Sequence, residues 1–365
     1  MLSLIKTKGE NKMKTCPNCG RENKDSNKFC IGCGTKLEES PKFCPECGAE
    51  LEADSRFCPQ CGFKIAEGKA NDDTDDESFD DEDLIQDTVA TDLDMFEYNE
   101  EDGKIILTGL KDKSLREIVI PDGITEIGSW AFYECSSLKS IEIPDSVTEI
   151  GGFAFAKCSS LKSVEIPNSV TKIGENAFNF CSSLTSIEIP DSVTEMREFT
   201  FVGCSSLTSA VLHGSVIGEW AFSDCKSLSS VKIHSSVIRQ GAFMDCKSLT
   251  SVEIHSSVTE IGDGAFHGCD NLESIKIPDS VTVMEDGAFC GCSSLTRAEI
   301  HGSVIGTGTF CDCINLTSVK IYGSITEIGA GAFTGCDNLT SIEIHNPNTK
   351  IPENAFDDSI EIIYV

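Results

Sequence analysis

No run of eighteen apolar residues occurs in the 365-residue chain, so no helix of bilayer length is encoded. Positive charge is scarce. Against 60 Asp and Glu stand 29 Lys and Arg, a formal net charge of −31. Such an excess repels phosphate and argues against a general binder of nucleic acid or anionic membrane. The opening MLSLIKTKG lacks an apolar core followed by a small-residue cleavage site, so no secretory signal is read there. A Gly-x-Ser-x-Gly elbow, a phosphate-binding loop and a dinucleotide fingerprint are also missing. With no catalytic constellation to weigh, a non-enzyme is expected.

What is present is enough apolar material for a core (39%), a length that suits two or three domains, and 20 cysteines. Without a leader or span, a cytoplasmic, reducing location is expected. There cysteines serve as metal ligands or small buried groups rather than disulfides. Met13 opens MKTCPNCG, which reads as a domain start, and KGENKM ahead of it could be encoded by a purine-rich ribosome-binding string before an ATG. Residues 1–12 are therefore expected to be a mis-called extension.

Composition divides the remainder. Residues 13–38 and 39–70 hold two cysteine pairs each. Residues 71–103 contain sixteen acidic and no basic side chains, a density that cannot collapse and predicts a disordered acidic linker. Residues 104–365 are a repeat array with 17 basic and 34 acidic side chains.

The pairs are Cys16/Cys19, Cys30/Cys33, Cys44/Cys47 and Cys58/Cys61, each ten residues from the next and each followed by Gly. Four thiolates in a tetrahedron suit Zn²⁺. The simplest assignment gives two zinc ions, one on Cys16, Cys19, Cys30 and Cys33, the other on Cys44, Cys47, Cys58 and Cys61. Equal spacing also allows the middle two pairs to share an ion. A thioredoxin-like redox role would need a βαβ context, which is absent. The repeated C-P-x-C-G…F-C-x-x-C-G resembles the double zinc ribbons at the N-termini of many bacterial proteins. Such ribbons are structural, dock proteins or touch nucleic acid. For the last role Lys14, Arg21, Lys24, Lys28, Lys42 and Arg56 supply positive charge, but the segment is nearly neutral and an acidic linker follows it.

In the array, Phe132, Phe155, Phe178, Phe201, Phe222, Phe243, Phe266, Phe289, Phe310, Phe333 and Phe356 mark eleven units of 21 or 23 residues. Leu138, Ile141 and Ile143 have the leucine-rich spacing, and S-I-E-I alternates as a short strand. Val147 and Ile150 form a second inward pair. Gly151 turns the chain, and a short helical or irregular turn inserts the ring. Cys135 and its equivalents in the following units recur as a column of small buried thiols. No unit buries its own apolar residues, so stacking must do it: a β-rich solenoid capped by 104–118 and 357–365. The pattern I-P-x-S-V-T-x-I-G-x-x-A-F-x-x-C resembles the BspA-type leucine-rich repeats, known also from Treponema surface proteins. The resemblance implies a protein-interaction solenoid binding an unknown partner, with a cell-surface adhesin as the alternative.

The outward column of the first strand reads Val119, Glu142, Glu165, Glu188, Val211, Lys232, Glu253, Lys276, Glu299, Lys320, Glu343. From Lys232 the signs alternate and neighbours can pair. Glu142, Glu165 and Glu188 are three like charges in a row. They are the candidate contact for a basic partner or divalent cation, set against a plain solvated acidic face. His213, His234, His255, His301 and His345 occupy positions held elsewhere by Pro144, Pro167, Pro190 and Pro278. The first three could stack as a metal or pH-sensing strip, but Pro and His codons can differ by one base, so drift between duplicated units explains the pattern equally well, and no carboxylate is expected in register. Cys290 and Cys311 are extra thiols, each one residue after the repeat phenylalanine in adjacent units; they could lie near one another, but an oxidised pair is not expected in a reducing cell.

Overall fold

The computed structural model describes residues 92–365, apart from Ser215, Ser303 and Ser324, and the backbone of 13–15, 22–24 and 89–90. The chain divides into two compact units, Met1–Asp83 and Leu84–Val365. In the first, Met13–Thr15 and Glu22–Lys24 pair antiparallel, with Thr15 opposite Glu22.

The second unit is a β-solenoid of about eleven coils, each with three sides. The first side is the S-I-E-I strand. In Ser186–Ile189 the two isoleucines are buried and Ser186 and Glu188 are exposed, as a period of two requires. Successive coils pair parallel and in register, Ser186 to Ser209 and Ile189 to Leu212, so like residues stack on like. The second side is a two-residue strand such as Lys172–Ile173, flanked by Glu149–Ile150 and Glu195–Met196. The third side is an irregular turn that carries the phenylalanine. Among the described residues the one helical element is the short 3-10 segment Leu93–Met95.

The phenylalanines form the spine. From Phe132 to Phe333 the rings are buried, and the column continues to Phe356, with centroids 5.0 to 5.4 Å apart. Each fully buried ring is worth roughly 1.5–3 kcal/mol over an exposed one. The backbone here makes its own ladder: Phe155 N–H donates to Ala177 O at 2.7 Å, and the Phe155 carbonyl accepts Cys158 N–H at 3.1 Å. That carbonyl also accepts the thiol of the following coil, Cys181 Sγ, at 3.2 Å. The cysteine column is thus a column of small hydrogen-bond donors, which alanine could not replace. Gly151 is required at the corner, because a Cβ there would stand 2.5 Å from Ser129 N.

Proline decides where the first-side ladder is whole. His213 N–H donates to Ile189 O at 2.9 Å, His234 to Leu212 O at 2.8 Å and His301 to Ile277 O at 3.0 Å. Proline has no N–H to offer. Strands in the coils of Pro121, Pro144 and Pro167 are correspondingly short, at Glu117–Val119, Ser140–Glu142 and Ser163–Val164. Strand pairing stops at two seams, between Ser163–Val164 and Ser186–Ile189, where Thr185 N–H still donates to Lys162 O at 3.2 Å, and between Ser251–Ile254 and Ser274–Ile277. The later coil at each seam carries a proline, Pro190 or Pro278. Histidine in this place therefore has a backbone role that codon drift alone does not convey.

The N-terminal cap begins earlier than residue 104. Phe96–Glu101 and Lys104–Leu110 form an antiparallel hairpin, and Val89–Ala90 pairs with Glu117–Ile118. The expectation that all of 71–103 is a disordered linker is corrected for 92–103. Phe96 is buried in the core, which offsets the repulsion of exposed Glu97, Glu100 and Glu101. At the other end Glu361–Tyr364 pairs with Ser341–Ile344 and closes the sheet.

Candidate docking and metal sites

All eight expected zinc ligands, Cys16, Cys19, Cys30, Cys33, Cys44, Cys47, Cys58 and Cys61, lie outside the described residues. The backbone on either side of the first pair, Met13–Thr15 and Glu22–Lys24, forms a hairpin, and residues 16–21 between the strands include Cys16 and Cys19. Two cysteines in so short a connection suit two adjacent corners of one tetrahedral ion.

Glu142, Glu165 and Glu188 are all exposed on the first side of the solenoid. Glu142 pairs with Val119, and Glu188 with Val211. Glu165 lies just beyond its strand, and the first seam separates it from Glu188. Like charges directly opposite disfavour pairing, so the glutamates and Pro190 act on the ladder in the same direction. The seam opens a shallow hollow of about 410 Å³, whose walls include Val164, Glu165, Ile187, Glu188 and Val211. Farther along, opposite charges meet as expected: Lys232 lies 3.6 Å from Glu253, and Lys320 3.0 Å from Glu343.

His213 stacks on His234 with centroids 4.7 Å apart, and His255 follows at 4.8 Å with its ring tilted by 39°. A carboxylate does accompany them, contrary to expectation: Glu188 Oε1 is 3.8 Å from His213 Nε2. Desolvation, then the neighbouring His213 and His255, hold His234 below its ordinary value. His301, Tyr322 and His345 form a second stack.

Burial pushes the column thiols upward, Cys135 to about 11, Cys292 and Cys336 to about 12, and Cys204 likewise well above the ordinary range. They remain thiols at neutral pH and are neither nucleophiles nor ready metal ligands. Cys290 and Cys311 differ. They are half-buried on the turn side and joined as a disulfide, Cα to Cα 4.6 Å.

One feature escaped the sequence reading. The residue two before the repeat phenylalanine has a left-handed backbone in the ten coils from Phe132 to Phe333. In five later coils it is glycine, at Gly241, Gly264, Gly287, Gly308 and Gly331, with φ near +59°. In the five earlier coils it is Trp130 (φ +68°), Phe153 (+56°), Asn176 (+54°), Phe199 (+57°) and Trp220 (+50°). Asparagine tolerates this region, but for bulky residues it costs roughly 1–2 kcal/mol each. Trp130 stacks on Phe153 at 4.1 Å, Phe199 stacks on Trp220 at 5.3 Å, and Trp130 is 50% exposed. Aligning the units on their phenylalanines puts Trp and Phe against Gly in one column, which was the available signal.

Residues 108–229, 213–240 and 236–363 match the model of the BspA type leucine rich repeat region, in six copies, and residues 16–62 match the double zinc ribbon. Similar solved structures include a leucine-rich repeat protein from Bacteroides ovatus, at 25% identity over 75% of this chain and 99% of that one, TM-score 0.48. A leucine rich cell surface protein from Faecalibacterium prausnitzii shares 30% identity over 74% of this chain and 94% of that one, TM-score 0.47. A leucine rich repeat protein from T. pallidum shares 28% over 68% and 90%, TM-score 0.36. No curated protein matches the chain.

Proposed function

The chain belongs to the BspA-type leucine-rich repeat proteins and carries a double zinc ribbon, and from that premise we propose that it is a non-enzymatic interaction module whose solenoid docks a protein partner. The observation that carries this reading is the first seam. There Glu165 and Glu188 flank a hollow floored by apolar side chains, with Glu142 one coil away. Glu142 and Glu188 face Val119 and Val211 across the ladder rather than Lys or Arg, and a row of three such glutamates suits a basic patch on the partner. Their desolvation would be compensated on binding rather than within the fold. The zinc ribbons, 13–38 and 39–70, serve as a second docking head on an acidic tether, with one zinc ion held by each set of four cysteines. The test compares proteins cross-linked by the full chain with those cross-linked by the E142Q/E165Q/E188Q variant. Partners lost from the variant support the reading, and an identical set of partners retires it. Metal analysis checks the head: two zinc ions per chain are expected.

A second reading, a surface or adhesin-type role, is favoured by one specific observation. The Cys290–Cys311 disulfide belongs in an oxidising compartment. Fractionation of the native cell with thiol counting decides it. An oxidised pair in an exposed fraction supports the surface, and a cytoplasmic protein with both thiols reduced supports the interior.

A further inference from the structure

Within an array whose coils are nearly identical, a departure confined to one half is informative, because the other half shows what the fold itself asks for. At the position two before the spine phenylalanine, the fold asks for glycine, and the later coils supply it. The earlier coils hold Trp130, Phe153, Phe199 and Trp220 there, at a backbone cost that the glycine coils avoid. The chain has two tryptophans, and both stand in this column. Phe180, 53% exposed, lies beside it and rests on Gly203, where a Cβ would meet the ring at 2.5 Å. Glu175, Glu198 and Glu219 immediately precede Asn176, Phe199 and Trp220, which sets a row of carboxylates beside the row of rings.

The nearby cations leave that row in excess. Lys157 is held by Glu134 at 2.8 Å, Lys172 by Glu149 at 2.7 Å and Arg197 by Glu195 at 2.7 Å. Arg197 also feels Glu198 and Glu175, and Arg239 shares a cleft of about 370 Å³ with Glu195, Glu198 and Glu219. The second-side ladder breaks at this same place, between Glu195–Met196 and Val216–Ile217, where the first 21-residue unit begins.

We propose that the turn side of the first five coils is a docking strip for an extended, basic polypeptide segment whose apolar side chains lie along Trp130, Phe153, Phe199 and Trp220. Its Lys or Arg side chains answer Glu175, Glu198 and Glu219. The occupant follows from charge complementarity: ring edges give an apolar track, and the flanking carboxylates outnumber the free cations. Four coil steps separate Trp130 from Trp220, roughly 19–20 Å, which an extended segment of about six residues spans. The strip lies on a different side of the solenoid from Glu142, Glu165 and Glu188, so it stands or falls apart from that surface.

The two tryptophans make the test direct. The zinc-loaded full chain is titrated with a labelled, capped peptide of about ten residues alternating Lys and Leu. Tryptophan emission and label anisotropy are followed together. Saturable binding with a shift in tryptophan emission is expected, weakened roughly tenfold or more in about 0.5 M salt. A Lys/Ser peptide and a Glu/Leu peptide should each bind roughly tenfold or more weakly than the Lys/Leu peptide. The W130G/F153G/F199G/W220G variant installs the residue of the later coils. It should keep its melting temperature and lose binding as read by anisotropy. E175Q/E198Q/E219Q should weaken binding roughly tenfold, while E142Q/E165Q/E188Q should leave it unchanged. The proposal is overturned if emission does not respond, if the acidic or Lys/Ser peptide binds equally, or if the glycine variant still binds. Unfolding of the glycine variant would likewise overturn it, by assigning the rings a structural duty.

Discussion

The earlier and later halves of the solenoid share one spine and differ in almost everything around it. Coils after Lys232 alternate charge along the first strand and place glycine at the left-handed turn position. Apart from the coil of Pro278, their first strands also close the ladder through a non-proline N–H. The earlier coils do the reverse: consecutive Glu142, Glu165 and Glu188, prolines that shorten or part the ladder, and aromatic rings at strained φ. The later half satisfies itself. The earlier half leaves charge, ring edges and backbone groups turned outward, which is what a surface shaped by a partner retains at some expense to its own stability.

The largest expected effect asks whether the two halves really share their core. Phe178→Ala and Phe289→Ala should each cost about 3–5 kcal/mol in denaturant unfolding, because both rings are stacked and wholly buried. A cost confined to one half would break the comparison at its base. Next comes the ladder. His234→Pro removes the N–H that donates to Leu212 O and leaves that carbonyl without its cross-coil donor, for roughly 1–3 kcal/mol. The reverse change, Pro190→His, should close the first seam, read as slower amide exchange across 186–190. Unaltered exchange would show that the glutamates alone keep the seam apart.

The turn position gives a smaller effect with opposite signs in the two halves. Gly264→Trp should lower stability by roughly 1–2 kcal/mol, since its φ of +55° suits glycine. Trp130→Gly relieves a similar strain but loses the stack on Phe153, so its melting temperature should hardly move. Smallest is the response to acid. His234 is held below its ordinary value in the fold, so the unfolded chain binds the proton more readily. The stability this contributes is present above about 6.5 and is lost as pH falls through that value. Unfolding midpoints at pH 7 and pH 5 should differ less in H213Q/H234Q/H255Q than in the native chain.

Much of this was legible from residue spacing. The phenylalanine period, the S-I-E-I alternation and the Cys column located the coils, the buried faces and the strand register, because identical neighbours leave one way to stack. The hydrogen bond from Cys181 Sγ to the Phe155 carbonyl was not legible, since it joins residues 26 apart across a coil boundary. Nor was the reach of the cap into the acidic stretch. The charge density of 71–103 hid Phe96, whose burial depends on a hairpin partner at Leu110. The His-for-Pro exchange looked neutral as a string and became meaningful only once the N–H had an acceptor.

Taken alone, the order of residues determined that residues 104–365 repeat and must bury their apolar positions against copies of themselves, since no coil encloses a core. It also marked eight cysteines at a spacing suited to tetrahedral metal. Tertiary structure decided which outward residues meet. Like glutamates fall on either side of a seam, Cys290 reaches Cys311, and aromatic side chains stand where the backbone is left-handed. Those relations depend on φ and on the step from one coil to the next, and neither is written in any single repeat.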